Sequence, residues 1–71
     1  MPTLITAADV HRRLEELYAE RAAATLEGLT FNPTYSADLE AEISATRAAY
    51  VGAAVTELAT LQGELSGRNQ G

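Results

Sequence analysis

One face of an α-helix over residues 7–27 carries a mostly apolar stripe, with Tyr18 beside it, in which residues recur at intervals of four, three, four and three: Val10, Leu14, Leu17, Arg21 and Ala24. The opposite face carries polar and charged residues: His11, Arg12, Arg13, Glu15, Glu16 and Glu20. Thr6 followed by Asp9 predicts a capping box at the start of this helix. Gly28 is suited to the left-handed conformation that ends many helices. The pattern therefore predicts an amphipathic helix over about residues 7–27.

A second and longer helical pattern covers about residues 37–66. Ser36 is its expected N-cap and Gly67 its expected end. We expect its large apolar side, widened by Val51 and Val55, to pack on the first helix. The other members of this side are Leu39, Ile43, Thr46, Tyr50, Ala54, Leu58, Leu61 and Leu65.

Residues 28–35 form the predicted connector between the helices. Its β-branched and aromatic residues around Asn32-Pro33 favour a tight connection that can hold a short β-like pair. The predicted fold is all-α, an antiparallel helical hairpin forming one domain over residues 1–71, with a lead-in at 1–5 and a flexible tail at 67–71. The helices would be about 30 Å and about 45 Å long, so part of the second has no partner within the chain.

The opposite side of the second helix carries a strip of small residues, for which we name Ala45, Ala49, Gly52, Thr56 and Gly63 as the predicted oligomer interface. No Asp, Glu, Arg or His lies between Arg47 and Glu57. Small residues let helix backbones approach closely, and two glycines would weaken a helix that nothing contacts. We therefore expect a homo-oligomer that includes coiled-coil packing. Helix propensity and an alanine-rich coding bias are the alternative explanation of the strip.

Composition limits the ways in which this chain can be stabilised and the ligands that it can bind. Ten acidic residues against five arginines give a net charge of −5, with one histidine, no lysine and no cysteine. Disulfides are excluded, and a core in so short a chain is small, so association with other subunits is the expected source of extra stability. The acidic balance opposes nucleic-acid binding. No apolar run is long enough to cross a bilayer, and the start lacks a signal-peptide pattern, so we expect a soluble, cytoplasmic protein that binds no membrane.

Chemistry-bearing residues do not converge in this sequence. His11 and Glu15 are spaced for a surface pair, and Glu15, Glu16 and Glu20 match a solvated helix face. No phosphate-binding loop and no hydrolase or metalloprotease motif occurs. We therefore expect no enzyme activity and no cofactor, metal or small-molecule ligand.

Phe31 and Tyr35 are the aromatic residues of the connector. One interpretation is that they close the hairpin end as a small core. The alternative is that they dock a partner protein, since aromatic residues dominate the energetics of many interfaces.

A capped helix of about 20 residues ending in Ala-x-Leu, a short connector, and TYSADLEAEI at the start of a second helix together resemble a known family over residues 7–50. This is the gpW-like family of head-to-tail joining proteins of tailed phages. Its order is helix, small β-hairpin, helix. The connector here is shorter than that hairpin, and the second helix is longer.

The resemblance implies a structural role in virion assembly. Members of this family form a ring beneath the portal and offer a platform for the next neck protein. It therefore implies a homo-oligomeric head-to-tail connector, with a portal or neck protein as partner and the virion neck as a location. Two alternatives stay open: a two-helix chaperone that hides an amphipathic helix of its partner, and a coiled-coil dimer in a regulator.

Overall fold

A computed structural model describes residues 5–68, and in this range the protein is an all-α hairpin. Helix α1 is Ala7–Glu27 and helix α2 is Pro33–Arg68, joined by a single 3₁₀ turn at Leu29–Phe31. The two helices run antiparallel. The predicted helical hairpin is confirmed, and α1 has the predicted bounds. Residues 1–4 of the predicted lead-in and 69–71 of the predicted tail lie outside the described residues.

The start of α1 is held by the predicted capping box. The Thr6 hydroxyl accepts a hydrogen bond from the Asp9 N–H at 3.1 Å, and the Asp9 carboxylate accepts one from the Thr6 N–H at 3.2 Å. At the other end, Gly28 has φ +78°, and its N–H donates to the carbonyls of the last turn. A residue with a Cβ would be strained in this left-handed conformation.

The connector differs from its prediction because Asn32 and Pro33 start α2 earlier than expected. Asn32 Oδ1 accepts a hydrogen bond from the Tyr35 N–H at 3.1 Å, which makes Asn32 the N-cap in place of Ser36. Pro33 suits the first helical position, since its φ is preset and no N–H is needed there. Ser36 lies in the first turn and donates its N–H to the Asn32 carbonyl. The β-like pair is wrong, because residues 29–31 form a 3₁₀ turn and residues 5–68 contain no strand.

The other end of α2 also departs from its prediction. The helix continues through Gly67 to Arg68, so the predicted end at residue 66 is wrong. A single glycine lowers helix stability by about 1 kcal/mol without forcing a helix to end.

A small core lies between the helices, in the part of the hairpin nearer the connector. It consists of six buried side chains: Val10, Leu14, Leu17, Ala24, Leu39 and Ile43. Leu17 is fully buried, and Tyr18 and Tyr35 cover the edges of the cluster. This arrangement confirms the apolar stripe of α1 and the first two large positions of the α2 stripe.

Two ion pairs between the helices flank this core. Arg13 contacts Glu42, and Arg21 Nη1 lies 3.0 Å from Glu40 Oε1. The hydrogen bond from Arg13 to Glu42 raises the pKa of the guanidinium. Exposed pairs of this kind add little stability. Their contribution is to favour one register of α1 along α2, which a small apolar core specifies weakly.

The molecule is far longer than its core, with extents of 62 × 23 × 17 Å. Helix α1 begins level with Glu57, whose Oε2 accepts a hydrogen bond from the Ala7 N–H at 2.5 Å. Beyond Glu57, α2 extends past the first residues of α1, as the difference in helix lengths predicts. Within residues 5–68, neither helix is apolar enough over a sufficient length to traverse a lipid bilayer.

Replacing Leu17 by Ala tests the small core. Leu17 is 0% exposed, and we expect Leu17→Ala to lower the free energy of unfolding by about 2–4 kcal/mol, because it removes packed atoms and leaves a cavity. The measurement is urea unfolding followed by circular dichroism at the helix band. Leu26→Ala is the matched control, since Leu26 in the same helix is 88% exposed and its truncation should change stability by less than about 0.5 kcal/mol. Equal losses in the two variants would contradict this core.

The capping box predicts a pH dependence of stability. Hydrogen bonding to Thr6 lowers the pKa of Asp9 below its ordinary value of 3.8 in the folded chain. The ionised carboxylate therefore stabilises the fold above pH 3.8, and this contribution is lost as the pH falls through the lower folded pKa. We expect Asp9→Asn to lower the melting temperature at neutral pH, by a difference that shrinks in acid. Asp38→Asn is the control, and an undiminished Asp9→Asn difference at low pH would exclude the carboxylate as its cause.

Candidate interaction surfaces

The extension of α2 past α1 exposes one side of the second helix. We define the apolar face as Val51, Val55, Leu58, Leu61 and Leu65, whose residues are 51–60% exposed. At 100° per residue they lie within an arc of about 120°. The expectation that these five residues pack on α1 is wrong, because α1 reaches only as far along α2 as Glu57 and lies to one side of Val51 and Val55. In the same predicted stripe, Thr46, Tyr50 and Ala54 are half-buried.

Two opposite charges lie near the ends of the apolar face. Arg47 is one turn before Val51, and Glu64 is beside Leu65. Unlike Arg13 and Arg21, Arg47 makes no ion pair with the side chains that the structure describes between residues 5 and 66. The side chains of Arg47 and Glu64 are exposed. Exposed charges of opposite sign at these two positions can pair across a contact with another molecule.

The small-residue strip is Ala45, Ala49, Gly52, Thr56 and Gly63, and the structure places all five on the exposed side of α2 away from α1. The Thr56 hydroxyl donates to the Gly52 carbonyl at 2.9 Å, a bond within the helix itself. A Cβ built on Gly52 or Gly63 would meet no atom within 4 Å. The predicted subunit contact at this strip stays a prediction, since the geometry of a single chain does not require either glycine.

Phe31 and Tyr35 differ in burial. Tyr35 packs against the core cluster, and its hydroxyl lies 3.4 Å from Glu20 Oε1. Burial, together with the charge of Glu20, raises the pKa of Tyr35. Phe31 is 89% exposed and has no share in the core. The small aromatic core predicted for both residues is therefore wrong for Phe31, whose role in partner docking stays a prediction.

Leu26 and Leu29 accompany Phe31 at the connector end, and both side chains are exposed. Sequence reasoning assigned neither residue to a surface. Leu29 follows the glycine cap, where an apolar residue commonly folds back onto the last turn of the helix, but here it is 46% exposed. Leu26 lies outside the apolar stripe of α1, and this position could have identified it as an exposed apolar residue.

His11 forms the predicted surface pair, with Nε2 lying 3.5 Å from Glu15 Oε1. Its ring also lies beside that of Tyr50, with 5.4 Å between the centroids. This contact joins the first half of α1 to the middle of α2, next to the apolar face. His11 is therefore part of the helix contact.

The rest of the described surface offers no enclosed site. The surface formed by residues 5–68 has no pocket, and no group of three or more His, Cys, Asp or Glu in that range could hold a metal ion. Searches of protein families, curated proteins and solved structures find no match to this chain.

Replacing Gly52 by Ala distinguishes an open strip from a close helix contact. In the isolated hairpin, Gly52→Ala should raise the free energy of unfolding by about 0.5–1 kcal/mol, because alanine favours the helix and its Cβ meets no neighbour. Chemical unfolding at low protein concentration measures this effect, and Gly63→Ala is the companion variant. If Gly52→Ala instead weakens self-association, the glycine lies in a contact that excludes a methyl group.

Proposed function

We propose that this protein is a non-catalytic structural adaptor, a small helical hairpin that self-associates and docks into a larger protein assembly through α2. The observation that carries the proposal is the apolar face. It places five large side chains in solvent on a helix whose own partner reaches no further than Glu57. Contiguous apolar surface on a small soluble domain is typical of an interaction site.

The size of the core supports association. Six residues are buried, whereas nine large apolar residues of the described range are exposed. A single core in a chain this short supplies about 3–5 kcal/mol at most, and subunit contacts are a usual source of additional stability. Self-association through α2 would cover side chains that the hairpin leaves in water.

The setting that we propose is a phage-type head-to-tail connector, with a portal or neck protein as the further partner. Its support is the resemblance of residues 7–50 to the gpW-like proteins. In this setting α2 would join copies to one another, and the exposed Phe31 with Leu26 and Leu29 would face the neighbouring neck protein. The 3₁₀ turn of this chain would take the position of the family's β-hairpin.

A chaperone-like function is the second candidate, and the same apolar face favours it. An amphipathic helix of a client could lie along Leu58, Leu61 and Leu65, as in other helix-in-groove complexes. This function predicts a monomer that forms a 1:1 complex. The adaptor function predicts a discrete oligomer of the chain itself.

Light scattering of the purified chain over a hundredfold concentration range, with helicity followed in parallel, separates the two functions. We expect an oligomer of defined mass. Leu58→Glu should shift it to monomer at concentrations where the native chain is assembled, because a charge would be buried in the contact.

Gly52→Glu is the matched variant for the small-residue strip, since it adds the same charge to the same helix on another side. Assembly by Gly52→Glu but not by Leu58→Glu would place the contact on the apolar face, and the reverse would place it on the strip. A native chain that stays monomeric throughout would contradict the proposed self-association.

A further inference from the structure

The apolar face has the repeat of a coiled-coil seam. Val51, Ala54, Leu58, Leu61 and Leu65 follow one another at intervals of three, four, three and four residues. This alternation is the a/d pattern of a heptad repeat, which brings two helices together with a small left-handed twist. Because α1 packs on a neighbouring side of α2, the seam is accessible to a helix from outside the hairpin.

From this seam and its charges we infer that the occupant of the apolar face is the same face of a second copy, arranged antiparallel about a two-fold axis near residues 55 and 56. The inference rests on the proposed self-association and assigns its surface and orientation. It replaces the small-residue strip by the apolar face as the primary contact between copies.

Charge complementarity supports a second copy and selects the antiparallel orientation. Arg47 and Glu64, seventeen positions apart, are both exposed, and Arg47 makes no ion pair with the described side chains of residues 5–66. They are separated by about 25 Å along the helix axis. An antiparallel pair centred between them brings Arg47 of each copy beside Glu64 of the other. A parallel pair in register would instead place Arg47 beside Arg47 and Glu64 beside Glu64.

The apolar residues have nearly the same centre as these charges. In an antiparallel seam about position 56, Val51 faces Leu61 of the second copy and Ala54 faces Leu58. The small side chain of Ala54 is thus opposite a large one, which favours close packing of facing layers. Arg47 faces Leu65, along which its aliphatic stem can lie while its guanidinium reaches Glu64.

This isologous contact also uses the part of α2 that α1 cannot cover. Residues 58–68 of one copy would lie along residues 44–54 of the other, where α1 of that copy is also packed. The end of α2 in each copy is thereby covered by the middle of α2 in the other copy. A two-fold contact is closed, because each copy uses the same patch once, so it forms a dimer, and a ring of the connector kind would need a further contact between such dimers.

Charge reversal tests the orientation in solution. Arg47→Glu creates two contacts between glutamates in the proposed dimer, and Glu64→Arg creates two contacts between arginines. Each variant should weaken self-association by about tenfold at low salt, since two exposed attractions become repulsions. Glu27→Arg, which makes the same charge change on α1 away from the seam, is the control for Glu64→Arg and should leave the affinity unchanged.

Two recovery experiments make the test specific. The double variant Arg47→Glu with Glu64→Arg should self-associate with the native affinity, because both pairs are restored with their charges exchanged. An equal mixture of the two single variants should form a heterodimer. At one end of the heterodimer seam, the glutamate introduced at position 47 of one chain lies beside the arginine introduced at position 64 of the other. At the other end, the native Arg47 and the native Glu64 lie beside each other. Sedimentation equilibrium and energy transfer between labelled chains measure these affinities.

Cysteine cross-linking gives an independent measurement, because the chain has no cysteine of its own. Under mild oxidation Val55→Cys, next to the proposed axis, should form a disulfide-linked dimer. Leu65→Cys should not, because its two copies would lie about 27 Å apart. In a parallel seam Leu65→Cys would also cross-link.

The outcomes separate this inference from the function on which it rests. A native chain that is monomeric at every concentration overturns the proposed self-association together with the inference. A native oligomer whose affinity neither single variant changes, or whose single variants do not recover on mixing, overturns the antiparallel contact alone. Cross-linking of Leu65→Cys as readily as Val55→Cys does the same.

Discussion

Helix α1 is fifteen residues shorter than α2. This difference in length limits how many apolar side chains of α2 the hairpin can bury. Packing of α1 on α2 buries apolar side chains only as far as α1 extends. The resulting core is confined to six side chains around Leu17, Leu39 and Ile43. Past Glu57, α2 continues with the composition of a packed helix, but no other element within residues 5–68 packs on it there. Leu58, Leu61 and Leu65 in this last part of α2 are therefore left exposed by the hairpin.

Local interactions set the lengths and register that produce this difference. The capping box at Thr6 starts α1, and Gly28 ends it in a conformation that turns the chain back. Asn32 and Pro33 start α2 immediately after one 3₁₀ turn, so the connector between the two helices is short. The ion pairs of Arg13 and Arg21 with α2 then align the helices, and the Ala7–Glu57 hydrogen bond marks where their contact ends.

The fold was largely predictable from the chain, whereas the candidate site was predictable only in part. Helix α1 was predicted with its true bounds because each boundary depends on neighbours within four residues. The start of α2 was misplaced because Asn32 and Ser36 are both acceptable N-caps, and the choice depends on how the turn after Gly28 brings Asn32 to the Tyr35 N–H. Val51 and Leu58 were assigned to the core because periodicity identifies an apolar side without showing whether a partner reaches it.

The sequence by itself determined two helices, their apolar stripes, the glycine cap and the absence of thiol chemistry, because composition and local spacing suffice for each. Only the tertiary structure decided which part of the α2 stripe is buried, that Tyr35 joins the core while Phe31 stays in solvent, and that Arg47 has no ion-pair partner among the described side chains of residues 5–66. These outcomes depend on how far α1 reaches along α2. The reach of α1 along α2 depends on contacts between residues fifty positions apart in the sequence, such as Ala7 and Glu57, and no local pattern encodes such contacts.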